Sequence, residues 1–99
     1  MSSGNKKIEQ KIKTRLKDVI KWRVKKAEKL YAISKDKDKD ADERKKAYLE
    51  SQKLYESAKE YVMDCLRLIK ENDIKNEELI EKIKYYKDKL KILADDADF

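Results

Sequence analysis

A chain of 99 residues with no proline and a single glycine, Gly4, has almost nothing with which to turn one strand into the next. Tight hairpins need residues that accept positive φ, and extended sheets are punctuated by them. Most β architectures are therefore excluded. What remains must travel in long uninterrupted elements, and the apolar residues say which kind. They recur every three or four positions, the interval that places side chains on one side of an α-helix.

Charged residues make up 48% of the sequence, against roughly 25% in an average globular domain. Charge at that level without patterning would mean disorder. Here it is interleaved with regularly spaced Ile, Leu, Val and Tyr, the composition of long helices paired along apolar seams. The expected fold class is all-α: one domain over residues 1–99, an elongated antiparallel three-helix bundle running up-down-up and packed like a coiled coil.

The first helix is predicted over residues 8–34. Ile8, Ile12, Leu16, Val19, Ile20, Val24, Ala27, Leu30 and Tyr31 fall within a stripe roughly 160° wide at 100° per residue, broad enough for two neighbours. Trp22 and Ile33 sit at its border. The opposite side collects lysines, with Asp18 and Glu28 the acids among them. Six residues, Lys35 to Asp40, then alternate charge with nothing to bury, which reads as a solvated loop. Asp40 or Asp42 is placed to cap the next helix.

The second helix is predicted over residues 41–71. One line of small and apolar residues runs Ala47, Ser51, Leu54, Ala58, Tyr61, Cys65 and Leu68. A second runs Tyr48, Tyr55, Val62 and Ile69. Two heptad lines again imply two partners. Asn72-Asp73 ends this helix, and Asp73 or Asn76 opens a third over residues 75–94, with Glu77 and Glu78 favourably near its positive end. Leu79, Ile83, Tyr86, Leu90 and Leu93 carry the seam, and the residues from Ala94 to Phe99 are expected to fray. Leu16→Ala or Leu54→Ala is expected to cost about 2–5 kcal/mol.

The same composition narrows function. Histidine is absent and Cys65 is the only cysteine, so the commonest general base is missing and neither a disulfide nor a zinc set of usual spacing can form within the chain. One glycine cannot build a phosphate-binding loop. We expect no catalytic residues, no cofactor and no metal. No apolar run is long enough to span a bilayer and no secretory leader is evident, which predicts a cytoplasmic protein without membrane insertion.

Charge distribution supplies the positive clue. Through Ser34 there are eleven Lys and Arg against three acids, a balance of +8; the remainder has sixteen against eighteen, a balance of −2. A basic face of this kind steers acidic partners. Lys11, Lys13, Lys17, Lys21 and Lys25, with Trp22 as an aromatic anchor, form the candidate partner-binding set. Nucleic acid is disfavoured, because only Trp22 could stack on a base and arginines are few. Leftover apolar surface around Trp22 and Ile33 leaves monomer and weak homodimer both open.

The sequence Lys11-Ile12-Lys13-Thr14, followed by Leu16 and Ile20, resembles the start of the first helix in the tubulin-specific chaperone A (tubulin-folding cofactor A) family. The resemblance continues through the charged loop, the basic pair Lys45-Lys46 and a third helix, over about residues 8–94. It implies a three-helix bundle that binds β-tubulin in the tubulin folding pathway, without nucleotide or metal. This chain departs from it at Tyr61-Val62-Met63-Asp64-Cys65, where many members carry a proline that kinks the second helix. The spacing of Ala47, Tyr48, Tyr55 and Ala58 also resembles microtubule-interacting and trafficking domains. That alternative implies amphipathic helical peptides bound in a groove between helices.

Overall fold

The computed structural model describes the backbone of residues 2–97 and the side chains of residues 6–90. Among these residues there are three helices and no strand. The first is continuous but built in three pieces: α-helix Ser2–Arg15, a π turn Leu16–Ile20, and α-helix Lys21–Lys35. The second helix is Ala41–Glu71 and the third Glu77–Ala97. The connections are too short to cross the bundle, so the helices run up-down-up in a rod of 57 × 22 × 17 Å.

The first helix starts six residues before the predicted boundary. Its apolar stripe begins at Ile8, but nothing upstream breaks a helix, and adding turns to one already formed is far cheaper than starting one. The π turn answers a sequence feature directly. Ile12, Leu16, Ile20 and Val24 are all buried, yet a spacing of four drifts roughly 40° per step on a 3.6-residue helix. In the π turn the Lys21 N–H bonds to Leu16 O, five residues back. That looser winding reverses the drift, so the four side chains share one core.

The second helix buries Ala47, Ser51, Tyr55, Ala58, Val62 and Cys65, a seam drawn from both predicted lines. Its centre lies between them, which leaves Leu54, Tyr61 and Leu68 only half-buried. Leu54→Ala therefore falls below the cost expected from its spacing, while Leu16, 7% exposed, stays a core residue. Ser51 is wholly enclosed and donates its hydroxyl hydrogen to Tyr48 O at 2.7 Å, so its polarity is satisfied within one turn. From the third helix Leu79, Ile83 and Leu90 complete the core, with Tyr86 half-buried. Leu93 lies outside the residues whose side chains are described. The predicted fraying falls partly on Asp98 and Phe99, also outside them, while Ala94 to Ala97 continue the helix.

Both turns are held by specific bonds. After the first helix, Asp38 N–H donates to Asp36 Oδ1 at 3.0 Å and Lys39 N–H to Asp36 O at 3.1 Å. Arg44 Nε donates to Ser34 O at 3.0 Å, tying the two helix ends together. Asp40 occupies the N-cap position but its carboxylate makes no capping bond; Asp42 lies within the first turn.

The second helix closes at Asn72 through a pair of bonds, Ile74 N–H to Ile69 O at 3.0 Å and Asp73 N–H to Lys70 O at 3.4 Å. This is the Schellman arrangement, and it puts Asp73 in the left-handed region at φ 50°. Ile74, the residue after it, is buried beneath the core. Asn76 then caps the third helix, its Oδ1 accepting from Leu79 N–H at 3.2 Å.

Candidate functional site

The third helix approaches the second more closely than it approaches the first. A groove of about 810 Å³ remains between the first and third helices. One wall is Lys13, Leu16, Lys17 and Lys21 from the first helix. The other is Asn76, Glu78, Leu79, Glu81, Lys82, Tyr85 and Tyr86 from the turn and third helix. Leu16 and Leu79 are buried and form its floor.

The three lysines stand four residues apart on either side of and within the π turn. The same reversal of drift that aligns Ile12, Leu16 and Ile20 aligns Lys13, Lys17 and Lys21 one position further round. A straight α-helix would fan them out. Across the groove, the Glu78 carboxylate is shared with Lys82 at 3.6 Å. The charged lining holds four lysines and two glutamates, so the groove is positive overall, most strongly along the first-helix wall.

Tyr85 and Tyr86 meet edge to face with centroids 5.2 Å apart. Only Tyr86 belongs to the apolar spacing. Tyr85, one residue off it, is 54% exposed and presents its ring to the groove. Burial raises the Tyr86 hydroxyl's pKa above the usual phenol range, aided by Tyr85. Lys89 donates to Glu28 Oε1 at 2.7 Å and lies 5.4 Å from the centre of the Tyr85 ring. That pair joins the first and third helices. Its hydrogen bond to Glu28, with a second to Tyr85, raises the Lys89 pKa above the ordinary lysine value. Glu28 is thus half-buried against the third helix, although its spacing assigns it to the lysine face.

The predicted partner-binding residues separate into two groups. Lys13, Lys17 and Lys21 come together in the groove. Lys11 and Lys25 are exposed elsewhere: Lys11 is 200° from Lys13 at 100° per residue, and Lys25 lies past the π turn, where the drift resumes. Trp22 is 44% exposed with the Arg23 guanidinium 4.5 Å from its ring centre. Arg23 also lies 5.2 Å from the Tyr61 ring and donates from Nε to Ser57 Oγ at 3.0 Å. Trp22 therefore belongs to the face shared with the second helix. The groove's other wall, Tyr85 above all, escaped sequence reasoning; the signal was two adjacent tyrosines, of which one seam can bury only one.

Cys65 is buried, and burial pushes its thiol pKa up; the Arg15 guanidinium beside it pulls partly the other way. It sits in the core away from the groove. Chemically, the groove offers ammonium groups along one side of an apolar floor with aromatic edges, an arrangement suited to holding an anionic, partly apolar surface. Comparison of the chain with family models, with curated proteins and with solved structures finds no match.

Proposed function

We propose that this protein is a non-catalytic binding protein whose lysine-walled groove captures an acidic protein surface. Following the resemblance carried by Lys11-Ile12-Lys13-Thr14, we take that partner to be β-tubulin, captured in the cytoplasm during folding. What supports the reading is the alignment of Lys13, Lys17 and Lys21 along one wall, above Leu16 and Leu79 and opposite an exposed tyrosine. Charge steers the encounter, and the apolar floor and Tyr85 supply contact area once water is displaced.

Co-precipitation with purified β-tubulin at low salt tests it. The triple reversal Lys13→Glu, Lys17→Glu and Lys21→Glu is expected to weaken the complex at least about tenfold, with helicity by circular dichroism unchanged because all three side chains are exposed. Retention of full binding by that variant would sink the role of the groove, and absence of any complex with the unmodified chain would remove β-tubulin.

The groove's position between two helices favours one other reading, a trafficking-type module that receives an amphipathic helical peptide. Chemical-shift mapping with acidic amphipathic peptides from membrane-remodelling proteins separates the two. Shifts along Leu16, Leu79 and Tyr85 with no tubulin complex select the second.

A further inference from the structure

A different cavity, of about 520 Å³, opens where the first helix turns into the second. Tyr31, Lys35, Lys37, Arg44, Lys45 and Tyr48 carry its walls, so that four cations and two phenol rings line it, with no acid among the described lining residues. The sequence gives no hint of such sorting, since lysine and aspartate alternate from Lys35 to Asp40 and Asp42-Glu43 follow. The turn performs it. Asp36 spends its carboxylate and its carbonyl on the Asp38 and Lys39 amides, and the chain reverses so that Lys37 reaches the cavity while Asp36, Asp38 and Asp40 remain outside its lining. Arg44 is held through Nε on Ser34 O at 3.0 Å, so its guanidinium is already ordered before anything binds. Lys35 lies 5.0 Å from the centre of the Tyr31 ring.

We propose that this cavity is a second docking point, for a short acidic peptide segment that inserts two or three neighbouring Asp or Glu side chains. Three observations select that occupant. The charge is one-sided within the cavity, and carboxylates are what ordered Arg and Lys groups at such a site hold best. The volume is that of a compact ligand site, not of an extended track. The exposed acids on the flanking turn set a limit on length: a nucleic-acid backbone would carry its phosphates past Asp36, Asp38, Asp40 and Asp42, whereas a short peptide segment places its charge inside the cavity alone. The tyrosine rings accept the methylene stems of the inserted side chains. The site is independent of the groove, since Tyr31 is roughly 15 Å along the first helix from Lys21.

The test is an NMR titration of the isotope-labelled full chain with a blocked hexaglutamate peptide and its hexaglutamine counterpart. Hexaglutamate is expected to shift the amides of residues 31–48, with affinity falling about tenfold as salt rises from about 50 to about 300 mM; hexaglutamine is expected to shift nothing. Lys37→Gln and Lys45→Gln, both at exposed positions, should each weaken binding about threefold. The groove variant with Lys13, Lys17 and Lys21 reversed should still show the hexaglutamate shifts at residues 31–48, which keeps this result separate from that of the β-tubulin experiment. The proposal is overturned by silence at residues 31–48, by equal shifts with hexaglutamine, by Lys37→Gln and Lys45→Gln binding unchanged, or by a short single-stranded oligonucleotide occupying the cavity more tightly than the peptide.

Discussion

The first helix meets its two neighbours in different ways. Along Lys21–Lys35 it lies close against the second helix, and the buried residues there include Ala27, Ala47, Ser51 and Ala58. Small side chains let two backbones approach until little space is left between them. Against the third helix the residues above the core are Lys13, Lys17, Lys21, Tyr85 and Tyr86. Long charged stems and bulky rings hold those helices apart and line the space they leave. One helix therefore serves stability on one side and, in the proposed function, recognition on the other. What separates the roles is side-chain size more than hydrophobicity.

Four substitutions probe that contrast. The largest effect is expected where both neighbours share the core. Ile20 has no exposed surface, and Ile20→Ala should cost about 2–5 kcal/mol in denaturant unfolding, with Leu54→Ala clearly below it. Next comes the closed side. Ala58 is fully enclosed, so Ala58→Leu forces extra volume into a filled space and should cost about 1–3 kcal/mol.

The smallest effect belongs to the open side. Lys89→Gln removes the pair with Glu28, but both side chains are over a third exposed, and solvent screening limits the loss to below about 1 kcal/mol. Because the hydrogen bond to Glu28 raises the Lys89 pKa, the pair's contribution is complete below the ordinary lysine range. It disappears as pH climbs through the raised value. Unfolding measured from neutral to strongly alkaline pH should show the wild-type and Lys89→Gln curves converging at the top. If Lys89→Gln instead costs as much as Ala58→Leu, the groove is a structural seam and the contrast fails.

Much of this was readable from residue order. The second helix has its predicted bounds because a charged, apolar-free stretch precedes it and Asn72-Asp73 follows; of the two candidate caps, Asp73 and Asn76, it is Asn76 that opens the third helix, at Glu77, two residues after the predicted start. Ile12, Leu16, Ile20, Ile83 and Leu90 are core residues by spacing alone. The π turn was not read, although its mark is plain afterwards: Ile8, Ile12, Leu16, Ile20 and Val24 keep an interval of four, too long for a regular helix to hold on one line. Ile74 was missed because it sits in a turn, where no periodicity applies; its burial comes from the helix-closing bonds around Asp73. At the candidate site the lysines were visible as charge, but which of them share a wall depends on winding. The cavity beside the charged turn depends on two hydrogen bonds of Asp36 that composition cannot express.

The π turn also acts as a gear between two rows. Because the apolar row and the lysine row pass through the same loosened winding, neither can be re-phased alone. Gaining one further residue there would swing everything before it about 100° around the axis, carrying Ile12 out of the interior and Lys13 off its wall in a single step. At that point in the chain, whatever preserves the interior also preserves the lysine wall of the groove, and a lineage that lengthened this segment would forfeit both together.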